Sequence, residues 1–258
     1  MTVAVIGGSG FHRWDRFEPA ATHNIETPYA TEPVRVTEGT LAGQAIVFLP
    51  RHGRDHSLPP HLINYRANLW ALKELDVAAV VAIATVGGIS TAAAPGALML
   101  PDQLLDYTYG RAQTFHDGAD GVVAHVDMTE PYCEALRGCL LEAAVGSGVP
   151  VIDGGTYAAT QGPRFETAAE IRRLERDGAD VVGMTGMPEA ALAKELQLAY
   201  APIAIIVNPA AGKARGGISM EQVRGWQSTG RARVEQLLAH AVPAVHDQAF
   251  AVPPPLIA

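Results

Sequence analysis

Apolar residues fall along this chain in short, dense runs separated by polar turns that carry glycine, proline or aspartate. Residues 3–6, 45–49, 77–84, 149–152, 179–182 and 203–207 are such runs, and their β-branched content reads as strands buried on both faces. Pro150 has no N–H to give to a ladder and so weakens the fourth. Between the runs, residues 62–75, 132–145, 167–176 and 189–196 carry helical periodicity. Pro131 and Pro188 stand at the start of two of these helices and Gly178 beyond the end of a third, as helix geometry favours. Ser219 followed by Gln222 is a capping-box pattern opening a last helix over 219–242. Pro253-Pro254-Pro255 cannot extend a helix. The alternation predicts an α/β fold, a single domain over 1–250 with a central mixed β-sheet flanked by helices, followed by a Pro-rich tail over 251–258.

Several of these strands run into polar, glycine-rich ends. The first meets Gly7-Gly8-Ser9-Gly10, where small residues let backbone N–H groups approach an anion and Ser9 adds a hydroxyl. Such a turn is by itself as readily structural. The second meets Arg51 and His52, a planar multiple donor beside a further ring donor, suited to phosphate unless the pair belongs to an ordinary surface loop. The third ends on Ala84-Thr85-Val86-Gly87 and the fifth on Met184-Thr185-Gly186. Strand ends at one sheet edge lie side by side, so Ser9, Arg51, His52, Thr85 and Thr185 are expected to converge on one phosphate. The last strand stops on Asn208-Pro209, and its side chain can donate and accept at once, as a reader of a heterocyclic base must.

Composition narrows the classes. A formal charge of −8, with no basic run, excludes general affinity for nucleic acid. The N-terminus lacks a basic segment followed by a long apolar one, and no stretch is apolar enough to span a bilayer, so a cytoplasmic protein without a membrane partner is expected. Cys133 and Cys139, both placed in the second helix, form neither a disulfide framework nor a zinc site. His56 and His61 are spaced wrongly for a helical metal pair and have no third ligand, so no metal is expected. No G-x-G-x-x-G or P-loop pattern is present, which removes the physical parts for a dinucleotide or a nucleoside triphosphate; cofactors: none expected.

Five segments together are specific: Gly7 to Gly10, Arg51-His52-Gly53, Asn64 to Leu72, Gly162-Pro163-Arg164-Phe165-Glu166-Thr167 and Gly183 to Glu189. In this order they resemble the methylthioadenosine phosphorylase and purine nucleoside phosphorylase family, over residues 3–223. The resemblance implies a nucleoside-phosphorylase-type α/β fold, inorganic phosphate as co-substrate without metal or organic cofactor, and a homotrimer with active sites at subunit interfaces. It places Ser9, Arg51, His52 and Thr185 on phosphate, with backbone near Thr85 and Val86. Phe165 corresponds to the aromatic over the purine, Met184 to the residue under the ribose, and His125 to a residue supplied across the interface near the sugar's 5′ end. Ala84 stands where adenosine-specific members commonly carry threonine, which removes one phosphate hydroxyl.

The base positions differ from those of adenosine-specific members, which carry Asp-x-Asp where this chain has Asn208-Pro209-Ala210, and serine where it has Glu166. A Glu166 carboxylate accepts from the N1–H of a 6-oxopurine, and the Asn208 amide donates to O6 or N7; adenine has no N1 proton to offer. At the sugar, Met220 occupies the place of the histidine that meets a 5′-hydroxyl in phosphorylases of ordinary nucleosides, and its thioether suits a methylthio group, unless it is a buried helix residue. The reaction expected is phosphate-dependent cleavage of S-methyl-5′-thioinosine to hypoxanthine and 5-methylthioribose 1-phosphate, with Asn208, His52 and Arg51 as the catalytic group. Inosine or guanosine phosphorolysis is the nearest alternative, and methylthioadenosine phosphorolysis the next.

Overall fold

The computed structural model describes residues 2–257 except 12, 13, 15, 54, 119, 120 and 216. In chain order the elements are β1 (Thr2–Gly7), β2 (Phe17–Ile25), β3 (Val34–Leu41), β4 (Gln44–Pro50), α1 (Tyr65–Glu74), β5 (Val77–Gly88), β6 (Leu98–Leu100), β7 (Gln103–Tyr107) and β8 (Ala124–His125). There follow α2 (Glu134–Ser147), β9 (Val151–Asp153), β10 (Thr156–Thr160), α3 (Ala168–Arg176), β11 (Val181–Gly183), α4 (Glu189–Glu195), β12 (Ala199–Pro209), α5 (Met220–His246) and β13 (Leu256–Ile257).

The centre is parallel: β1 pairs with β4 and with β5, and β5 pairs with β12 along most of its length. These strands have both faces covered, which is why they read as unbroken apolar runs. Ala4, Ile6, Val80 and Ile206 face a cluster with Leu69 and Leu72 of α1 and Leu192 of α4. Their neighbours Val3, Val5, Val81 and Ile205 face the opposite cluster, with Leu140 of α2 and Leu237 and Leu238 of α5. Period-two alternation therefore sends successive residues into two cores, and the sheet is the middle of three layers.

Antiparallel additions make the sheet mixed. On one side β2, β3 and β4 form a meander; on the other β11 pairs antiparallel with the end of β5 and is followed by β10 and β7. Strand β12 also pairs antiparallel with β6, which pairs with β9.

Several expected boundaries move for local reasons. The second helix begins at Glu134 with Cys133 as its N-cap, so only Cys139 lies within it. The first α-helix starts at Tyr65, because the Asn64 side chain accepts from the Ala67 N–H at 3.0 Å and caps it there; Leu62 lies in a short 3-10 turn. The 149–152 strand begins only at Val151, beyond Pro150. Ser219 caps α5 by accepting from Gln222, whereas the full reciprocal capping box is at Thr167 and Glu170, at the start of α3. The 251–258 tail pairs through Leu256 with His125, so β13 and β8 form a separate two-stranded ribbon.

Candidate functional site

The carboxyl ends of β1, β4, β5 and β12 open into one cavity of about 420 Å³. After β1, the chain turns at Gly8, where a Cβ would lie 2.5 Å from the Ile83 carbonyl and 3.2 Å from Arg51 Nη1. Only glycine permits that approach, which brings the turn after β1 against β5 at Ile83. Arg51 and His52 follow β4 directly, and both line the cavity with Ser9. Thr85 also lines it, but from within β5, which continues to Gly88 rather than stopping at Ala84. Thr185 arrives by a different route from the one expected: β11 runs antiparallel to β5, so its end turns back towards Val86 instead of lying along the shared edge. All five residues expected on the anion thus line one cavity.

Their electrostatics are set by a residue the sequence reading did not single out. Arg51 is 2% exposed, and its Nε and Nη2 each donate to Glu189 at 2.7 Å, while Nη1 donates to the Ile83 carbonyl at 2.8 Å. Burial alone would weaken the charge, but the Glu189 carboxylate outweighs it and drives the guanidinium further up, so Arg51 is a fixed cation. Glu189 is fully buried at the first position of α4 and also accepts from the Tyr200 hydroxyl at 2.8 Å. Burial, reinforced by the Glu189 charge, keeps that phenol protonated and therefore a donor.

His52 is held at about 4, chiefly by burial with Arg51 and His56 adding to it, against the Leu58 hydrogen bond that favours its charged form. At neutral pH the ring is uncharged. The Leu58 carbonyl 2.9 Å from Nδ1 can only accept, so the proton sits on Nδ1 and Nε2 carries a lone pair. Ser9 Oγ lies 3.2 Å from His56 Nε2, and the His52 and His56 rings are 4.4 Å apart. The groups available to the expected anion are therefore hydroxyls, backbone N–H groups and the N–H groups that Arg51 has left over, its charge already paired with Glu189. The second ring donor expected at His52 is replaced by an acceptor.

Asn208 is 8% exposed and lines the same cavity, beside Gly87 of β5. A bulge between Ile206 and Asn208 breaks the alternation of β12 and turns this side chain to the cavity. Its Nδ2 donates to the Pro209 carbonyl at 2.7 Å, which fixes the amide orientation and leaves a second N–H and Oδ1 for a ligand. Glu166 lines the same cavity, in the loop before α3, and accepts from the Thr160 hydroxyl at 2.7 Å. Phe165 is 47% exposed beside it, a ring with a free face. Met184 and Met220 also line the cavity. Met220 opens α5 and is 51% exposed, so it is not a buried helix residue. Arg111, another residue missed, donates to the Met184 carbonyl at 2.9 Å and the Gln161 carbonyl at 2.8 Å, and so ties the segment that carries Met184 to the loop that leads to Phe165 and Glu166.

His125 is not brought to this cavity within one chain; it is exposed in β8 against the C-terminal tail. Among the described residues, no helix is long and apolar enough to cross a membrane and no cluster of metal-ligating side chains occurs.

Residues 2–243 match the model of the phosphorylase superfamily. The chain is 47% identical over 245 residues to the probable S-methyl-5′-thioinosine phosphorylase of Pseudomonas syringae pv. tomato, covering 95% of this chain and 100% of that one. It is 42% identical over 248 residues to the 6-oxopurine nucleoside phosphorylase of Pyrococcus furiosus, covering 94% and 92%. Among solved structures, methylthioadenosine phosphorylase from Schistosoma mansoni in complex with adenine superimposes with a TM-score of 0.89 at 30% identity, over 96% of this chain and 93% of that one.

Proposed function

We propose that this chain, which belongs to the phosphorylase superfamily, splits S-methyl-5′-thioinosine with inorganic phosphate to give hypoxanthine and 5-methylthioribose 1-phosphate. It is a nucleoside phosphorylase, a pentosyltransferase of purine salvage. The observation that carries the substrate reading is that one cavity is lined both by the hydroxyl and guanidinium donors of Ser9, Thr85, Thr185 and Arg51 and by Asn208 with Glu166.

Phosphate held among Ser9, Arg51, Thr85 and Thr185 presents an oxygen to C1′ as the bond to N9 lengthens. Positive charge on the ribosyl group is stabilised by the adjacent phosphate, and no enzyme nucleophile is required. Negative charge moves onto the purine, where the free N–H of Asn208 at N7 or O6 strengthens as it develops. Oxygen bonds to C1′, N9 leaves with the electron pair, and the proton lost by phosphate ends on the base. Glu166 accepts from N1–H and so selects a 6-oxopurine, since adenine would set a lone pair against a carboxylate. Met220 supplies an apolar surface for the methylthio group.

A second reading is favoured by the likeness to the Pyrococcus enzyme, whose name covers 6-oxopurine nucleosides in general. A phosphate-dependent assay comparing methylthioinosine, inosine and methylthioadenosine decides. Methylthioinosine is expected to lead in kcat/KM; a lead for inosine overturns the role of Met220, and a lead for methylthioadenosine overturns those of Asn208 and Glu166. We further propose that the reaction runs in the cytoplasm without metal or organic cofactor. The active form is proposed to be a homotrimer, in which His125 reaches the sugar of a neighbouring site.

A further inference from the structure

Thr160 ends β10, a strand buried between β11 and β7, and its hydroxyl has two acceptors for one proton. Oγ1 lies 2.7 Å from Glu166 Oε1 and 3.2 Å from the Gly183 carbonyl oxygen. A carbonyl can only accept, and an ionised carboxylate can only accept as well, so the two compete. The shorter distance and the charge favour the carboxylate. Among the described residues, Thr160 is the hydrogen-bond partner given to Glu166, which sits in a loop that must turn through Gly162 at φ +60° before reaching α3. A side chain on a loop is placed by what it leans on, and here that support comes from a strand.

We infer that Thr160 is a positioning residue for base selection: its hydroxyl occupies Glu166 Oε1 and leaves Oε2 as the acceptor for the N1–H of a 6-oxopurine. This rests on the base-reading role proposed for Glu166. A carboxylate aimed in this way accepts from N1–H and offers a bare N1 nothing to accept. Without that hydroxyl, the Glu166 carboxylate loses the contact that aims Oε2 and is free to rotate away from the N1–H of a 6-oxopurine. Thr160 therefore acts on the difference between substrates rather than on the chemical step, which takes place at the far side of the base.

The test is steady-state kinetics of T160V, T160S and E166Q on methylthioinosine and methylthioadenosine at saturating phosphate. T160V is expected to raise KM for methylthioinosine about tenfold with little change in kcat, the loss of one charge-assisted hydrogen bond. The ratio of kcat/KM between the two nucleosides is expected to fall by a similar factor, and T160S to restore it. A structural defect alone would depress both substrates together. An unchanged ratio in T160V, or a T160S variant as impaired as T160V, overturns the inference. Should T160V fail to fold, T160A carries the same expectation and the same overturning result. If E166Q leaves the ratio unchanged, the base reading itself fails; if E166Q collapses the ratio while T160V does not, only the role of Thr160 falls.

Discussion

His52 shows how burial decides what a residue can do. In the sequence it stands beside Arg51 as a second donor to an anion, yet the Leu58 carbonyl takes its Nδ1 proton and burial holds the ring neutral, with its ordinary range near 6.5 lowered to about 4. The sign for stability follows. Between these values the unfolded chain binds a proton that the folded one refuses, so the stability tied to neutral His52 is present above about pH 6.5 and is lost as pH falls towards 4. Urea midpoints measured at pH 7 and pH 5 are expected to fall less in His52→Gln than in the unaltered protein; equal falls would show that His52 does not carry the dependence. Asn208 is the contrary case: an amide at the end of an apolar run marks it in the sequence as a candidate, and the tertiary structure adds the bulge that turns it to the cavity and the Pro209 contact that leaves its other atoms free.

Among the elements, legibility followed environment. Strands β1, β4, β5 and β12 were visible because each is covered on both faces and so has to be apolar throughout. Strand β2 was not, because it lies at the margin of the sheet, carries Pro19, Glu18 and His23, and is largely exposed; nothing apolar announces it. Strand β10 escaped too, since Thr156-Tyr157-Ala158-Ala159-Thr160 is too mixed and short to stand out, although it places Thr160. The last helix was expected to 242 and continues to His246, with Pro243 inside it. Its packing yields a prediction at this scale. A Cβ on Gly230 would lie 2.1 Å from Ile205 Cγ2, so α5 approaches β12 closely only through that glycine. Gly230→Ala improves helix propensity by about 1 kcal/mol, yet the overpacking costs about 1–3 kcal/mol. A net loss of stability by chemical denaturation is expected, and a more stable variant would contradict the close packing.

The whole molecule sets the remaining conditions. One chain gathers in its cavity the residues proposed for phosphate and base, while Met220, proposed for the 5′ end of the sugar, is exposed and His125 does not line the cavity. The homotrimer proposed above makes this testable at the scale where it belongs: the protein is expected to sediment at three times the chain mass. Dilution below the dissociation range is expected to raise KM for methylthioinosine more than for phosphate. A fully active monomer would remove His125 from the site.

By itself the sequence determined the α/β plan of a central sheet flanked by helices and marked the segments proposed to carry the chemistry. Both are written locally, in apolar runs that must be buried and in the glycines, hydroxyls and amide that terminate them. The tertiary structure alone decided how those groups are charged and aimed. Arg51 meets Glu189 across 138 positions, Tyr200 completes that pair from β12, and β11 delivers Thr185 by running against β5. Such contacts depend on which surfaces the sheet brings together and how far it excludes water, and no local pattern of residues specifies either.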